Sequence, residues 1–220
     1  RSRSVKEAGH WARQKEVKGT VLPSLAAQLK ILSKNIGFVL VSGIALSHAL
    51  TRTGGLFNII PIIGSFRIQL AYDEIGIALA VGSLLGLLAV YPAGIAVDRW
   101  GRKAIIVPFT FLTGTSFLLF AIADTFFWFA FANALWGIAS GIGSSAPAAY
   151  AADSAPPGMN ASAMSLFRML GDIGYVVGPI LLGLIVDIHG TDMALYLAAS
   201  ILFIIGILFA RFAPESYKPD

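Results

Sequence analysis

The sequence predicts an all-α membrane protein with six transmembrane helices, and three observations carry that prediction. The chain is 56% hydrophobic and 13% charged, with a mean hydropathy of +0.77, so most of its surface suits lipid rather than water. Its apolar residues run in continuous stretches of roughly 20 or more, whereas lipid-facing barrel strands alternate in character and are about 10 residues long. Its charges collect between the stretches, where helix ends meet water.

Residues 1–35 read as a basic cytosolic linker. In its second half Leu22, Leu25, Leu29 and Leu32 recur at helical spacing, which fits either an amphipathic helix on the membrane surface or a solvated connector. Six spans occupy residues 36–212: Ile36 to Ile63, Ile75 to Val97, Ala104 to Ala123, Phe126 to Tyr150, Met164 to Val186 and Met193 to Phe212. Each can cross a hydrocarbon core of about 30 Å, and a helix satisfies its own backbone in a solvent that cannot. Residues 213–220 form a short polar tail, while the start at Arg1 rather than Met reads as the beginning of a fragment.

Composition also excludes chemistries. Cysteine is absent, which removes disulfides and thiolate metal sites. The 16 Lys and Arg against 12 Asp and Glu mark orientation rather than nucleic-acid binding, because the linker, Arg99, Arg102, Lys103, Arg211 and Lys218 fall on one side of the six spans and only Arg67 on the other. Both termini are therefore expected in the cytosol. His10, His48 and His189 are scattered and show no metal-ligand spacing. Gly141-Ile-Gly-Ser-Ser-Ala lies inside an apolar span rather than after a strand, so no cofactor loop or enzyme site is expected.

The most specific motif is the charged elbow between the second and third spans, Tyr91 to Lys103, which reads Gly-x-x-x-Asp-Arg-x-Gly-Arg-Lys with Gly94, Asp98, Arg99, Gly101, Arg102 and Lys103 in place. It leaves room for a turn of only a few residues, which Gly101 permits. In the fifth span, Gly171-Asp-Ile-Gly174-Tyr-Val-Val-Gly178-Pro179-Ile-Leu-Leu-Gly183 follows a Gly-x-x-x-Gly-Pro-x-x-x-Gly pattern, in which small residues allow close backbone approach and Pro179 removes one helical hydrogen bond.

Both motifs, with Pro214-Glu-Ser after the last span, resemble those of the major facilitator superfamily, over essentially everything from Lys30 onward. The resemblance implies one six-span half of a twelve-span transporter, built from two inverted three-helix repeats, and the basic stretch before the first span favours the C-terminal half. A missing N-terminal half would then supply the other wall of the substrate cavity. The first and fourth spans would line the cavity, the second and fifth would meet the other half, and the third and sixth would face lipid. The elbow would act as a gating latch in which Arg99 or Arg102 meets Asp153, and the fifth-span motif is associated with exporters. One physical pattern stands apart from the resemblance: the first span is interrupted at Thr51 to Gly55 and Pro61, and the fourth at Gly137, Gly141, Gly143 and Pro147, which fits either the paired interruptions of a transport site or the general frequency of Gly and Pro in membrane helices.

Charge inside a membrane costs roughly 2.5 to 3.5 kcal/mol on insertion scales, so intramembrane charges are functional candidates. Only Arg52, Arg168 and Asp172 lie well inside spans. His48 and Arg52 share a helix face, where Arg52 suits either a substrate carboxylate or an acid of the other half. Arg168 and Asp172 are also four apart; Asp172 is a candidate proton-coupling group, or the pair is a static ion bridge. Asn133, Trp136 and Ser140 form one stripe on the fourth span, and Asn58 lies on the first; each suits substrate contact or interhelical hydrogen bonding. The expected function is a secondary active transporter of a small solute, with proton-coupled efflux as its sharper form and an antiporter as the implied mode. A non-transporting receptor or scaffold of the same fold is the alternative.

Overall fold

The computed structural model describes residues 24–215, Ser144 apart. The first 23 residues of the predicted linker and the tail beyond Glu215 lie outside the described residues, and Leu22 with them. A short helix, Leu25–Lys34, precedes the six spans; Leu32 is fully buried on its inner face while Leu29 and Ile31 stay exposed. The spans run Ile36–Arg67, Tyr72–Trp100, Lys103–Ile122, Phe126–Asp153, Asn160–His189 and Thr191–Phe212, each long and apolar enough to cross a membrane. They correspond one for one to the predicted stretches and extend most of them by several residues, because helices continue into the polar layer that hydropathy excludes.

The spans pair by glycine. In the first and fifth, Gly174 meets the Leu46 carbonyl, Gly178 meets that of Leu50, and Gly54 meets that of Gly178, a register that rises together and so makes the two spans parallel. In the second and fourth, Gly82 meets the Asn133 carbonyl and Gly86 that of Gly137, while Gly137 and Gly141 meet the carbonyls of Gly82 and Gly86, also in parallel. The third and sixth pack antiparallel, with Gly114 under Phe203 and Gly206 under Phe111. Exchanging spans one to three for spans four to six maps these pairings onto themselves, which is the topology of two inverted repeats. Gly82 and Gly86 carry this packing without having stood out in the sequence.

Three expectations need correction. Gly137 and Gly141 do not interrupt the fourth span; both sit in the unbroken helix Phe126–Ile142, which ends at Gly143, and Pro147 lies in the first turn of the next helix, Ala146–Asp153. Among the described residues Gly183 approaches no other backbone, since nothing lies within 4 Å of a Cβ there, and Pro179 is accommodated within a continuous helix. The third span does not simply face lipid: Phe117 and Phe120 are fully buried in the core, and Phe109 and Thr113 reach the central cavity.

The first span does change conformation where expected. Beyond Thr51 it widens into π-helical turns over Arg52–Ile59 and Ile63–Arg67. The cause is local. Thr51 and Thr53 hydroxyls donate back to the Ser47 and Ala49 carbonyls, Gly54 and Gly55 add no side chain, and Pro61 has no N–H to offer.

The two ends of the bundle are tied differently. At one, Lys103 Nζ donates to the Ala213 carbonyl at 2.6 Å, Tyr150 Oη to that of Pro214 at 2.6 Å, and Asn35 Nδ2 to that of Ser154 at 2.8 Å. At the other, Arg67 pairs with Asp192 and donates to the carbonyls of Phe120 and Ala123 at 2.6 and 3.0 Å, which closes the end of the third span. The 20 residues of that span separate the two ends by about 30 Å.

Candidate functional site

A cavity of about 480 Å³ opens between the first, fourth and fifth spans, with the third as its floor. It forms where the paired helices depart from regularity: the first span at Arg52 and the fourth at Gly143 and Pro147, all of which line it. His48, Arg52, Trp136, Ser140, Arg168 and Asp172 contribute to its wall, so six of the polar residues singled out in the sequence converge on one space.

Arg52 reaches into the cavity between two aromatic rings, its guanidinium carbon 5.6 Å from the Phe57 centroid and 5.9 Å from that of Trp136. Both are cation–π distances, worth roughly 0.5–1 kcal/mol each at an accessible site. This fixes the direction of the fork without neutralising its charge. Among the described residues neither Arg52, Arg168 nor Asp172 has an ion-pair partner. The static Arg168–Asp172 bridge entertained from the spacing therefore does not form. The basic-first order at this spacing is the unfavourable one on a helix, and the cavity gives both side chains room to diverge.

His48 is held more firmly. Its Nε2 lies 3.2 Å from the Thr110 hydroxyl, whose own proton goes to the Ile106 carbonyl, so the imidazole donates to the threonine. Its ring stacks on Phe109 with centroids 4.2 Å apart. The histidine thus braces the first span against the third while one edge faces the cavity.

Two predicted residues lie elsewhere. Asn133 is buried in the second–fourth span contact and donates to its own helix at Phe129. Asn58 is exposed within the π-helical segment, away from the cavity wall, and its Nδ2 donates to the Thr53 carbonyl at 2.5 Å. Residues overlooked in the sequence include Thr113, Phe167 and Tyr175 on the wall and Thr110 behind His48. Thr110 and Thr113, three apart on the third span with Thr115 and Ser116 beside them, were a legible polar signal; Phe167 had none.

At the elbow, Gly101 adopts φ 87°, a backbone state that side chains resist. The turn directs Arg102 across to the end of the fourth span, where Nε donates to Asp153 at 3.2 Å, with Asp98 3.9 Å away on its own helix. Arg102 rather than Arg99 makes the contact. Asp98 itself remains 79% exposed, so most of the carboxylate is open to another surface. Gly94 faces open space as well.

This topology and this elbow agree with comparisons to known proteins. The sequence matches the Major Facilitator Superfamily over residues 34–220, which covers all six spans. The chain belongs to that superfamily. It is similar to an uncharacterized MFS-type transporter of Methanocaldococcus jannaschii, 29% identical over 144 residues, 64% of this chain and 37% of that protein. It is also similar to Multidrug resistance protein 2 of Bacillus subtilis, 27% identical over 175 residues, 79% of this chain and 44% of that protein. The chain thus spans less than half the length of either relative. Like other members of the superfamily it is an integral, multi-pass membrane protein.

Proposed function

We propose that this chain is the C-terminal lobe of a secondary transporter that moves a small solute by alternating access, rocking against a second six-span lobe around the central cavity. The observation that carries this reading is the cavity itself: Arg52, Arg168 and Asp172 lie inside spans, face one space and have no ion partner among the described residues. Uncompensated intramembrane charge is retained where a ligand or a water-filled path repays its cost. The exposed apolar faces of the second span at Leu84, Leu87 and Leu88, and of the fifth at Val176, Ile180 and Leu184, supply the surface for the second lobe.

In this reading Arg52 and Trp136 contact the solute, Arg168 and Asp172 form a second polar station, and Asp172 takes up and releases the coupling proton. The elbow acts as a latch: Arg102 and Asp153 hold the loop to its own lobe, while exposed Asp98 engages the other. Efflux is the favoured direction, supported by the fifth-span glycine motif and by the name of the Bacillus relative. Both termini face the cytosol, on the charge asymmetry of the loops, and the membrane is the cytoplasmic or plasma membrane.

Transport assays on the full-length protein in sealed vesicles, with an imposed proton gradient and a panel of labelled solutes, test this. Gradient-driven movement of one solute supports it. A folded protein that binds a solute and moves none would establish the receptor reading instead.

A further inference from the structure

A second cavity, of about 270 Å³, lies on the opposite side of the first–fifth span seam and plays no part in the transport site. Phe38, Val39, Ser42 and Leu46 line it from the first span and Leu166 and Leu170 from the fifth, on different faces of both helices from those that meet Arg52 and Asp172. Its length along the first span, Phe38 to Leu46, is on the order of 12 Å. Ser33 of the short helix Leu25–Lys34 covers its upper end.

The surroundings of the groove are not apolar throughout. Lys30 and Lys34 are exposed on the short helix, one turn before Ser33 and directly after it, and the Ser33 hydroxyl turns back to the Lys30 carbonyl. Deeper in the wall the Ser42 hydroxyl is buried, 2% exposed, and has no hydrogen-bond partner among the described residues. It sits about 9 Å below the start of the span, near the base of a headgroup layer that is roughly 5–8 Å thick per leaflet. A groove with an apolar floor and two exposed lysines flanking Ser33 at its end matches one class of molecule.

We propose that this groove is a binding site for one anionic phospholipid, with the phosphate at Lys30 and Lys34 and one acyl chain along Val39, Leu46, Leu166 and Leu170. Basic sites beside transmembrane helices select anionic headgroups, and the apolar groove adds the affinity that free phosphate lacks. The site would hold the short helix against the bundle. It does not depend on the transport reading or on which leaflet it faces.

Native mass spectrometry of the full-length protein in detergent, titrated separately with phosphatidylglycerol and phosphatidylcholine, tests it. Wild-type protein should retain phosphatidylglycerol preferentially. A Lys30→Gln/Lys34→Gln pair should weaken that lipid by about 25-fold, about fivefold for each lysine, with little effect on phosphatidylcholine. Val39→Trp, at an exposed wall position where folding should be spared, should displace both. Equal retention of the two lipids by wild type, or phosphatidylglycerol binding untouched by both variants, would overturn the proposal. So would competition by millimolar inorganic phosphate, which would make the ligand a free anion, or cross-linking of Val39→Cys to a protein segment, which would show the groove filled by the chain itself.

Discussion

Arg102 donates to Asp153 across 3.2 Å, tying the loop between the second and third spans to the end of the fourth. The contact is partly exposed, with the two side chains 18% and 34% accessible, so its worth to folding is on the order of 0.5 kcal/mol. Asp153→Asn should therefore leave thermal unfolding nearly unchanged. If the contact is part of a latch, the same variant should shift the balance of inward and outward states, read by cysteine accessibility on the two sides of the cavity, without changing which solute is carried. A change in selectivity alone would count against a latch.

Arg52 offers a planar fork set between Phe57 and Trp136. Arg52→Lys keeps the charge but loses the paired donors and the flat face, so solute binding should weaken about 10-fold to 100-fold with the bundle intact. Equilibrium binding of the transported solute to purified full-length protein checks this, and wild-type affinity in the variant would remove Arg52 from the site.

Asp172 faces the cavity without the bridge to Arg168 that its spacing invited. Asp172→Asn should therefore abolish gradient-driven accumulation while leaving exchange of solute across the membrane in place. Coupled transport with unaltered pH dependence in the variant would eliminate Asp172 as the proton carrier.

Gly82 and Gly137 meet carbonyl to backbone, with no room for a side chain on either. Gly137→Val should destabilise the bundle by about 1–3 kcal/mol or more through forced separation of the second and fourth spans. Gly183→Ala adds a methyl where no described residue of this lobe lies within 4 Å, so it should leave the packing of the second and fourth spans intact. Thermal unfolding of both variants in one detergent gives the comparison.

Arg67 closes the far end of the bundle through Asp192 and two carbonyls of the third span. Arg67→Gln leaves Asp192 unpaired and should cost about 1–2 kcal/mol, discounted for partial exposure. Unfolding measurements should show the loss, and solute affinity should not change.

Much of this molecule was legible in its residues because the forces involved are short-ranged along the chain. Hydropathy over roughly 20 residues decides whether a segment spans, and no contact elsewhere reverses it. The elbow was readable for the same reason, since Gly101 and Arg102 act within one turn. Less readable was the fourth span, where Gly137 and Gly141 looked like interruptions but serve as contact surface, because glycine permits both close packing and irregular backbone.

By itself the sequence determined the six spans, their asymmetry of charge, the turn at the elbow and the family, all properties of local composition and order. Only the tertiary structure decided which polar groups share the cavity. Asn133 and Trp136 are about 60° apart around one helix, and whether each faces the second span or the solute space depends on the helix's rotation. That rotation is set by glycine contacts between spans some 50 residues apart, at Gly82 with Gly137 and Gly86 with Gly141. Packing of this kind acts through space, so no stretch of the chain taken alone contains it.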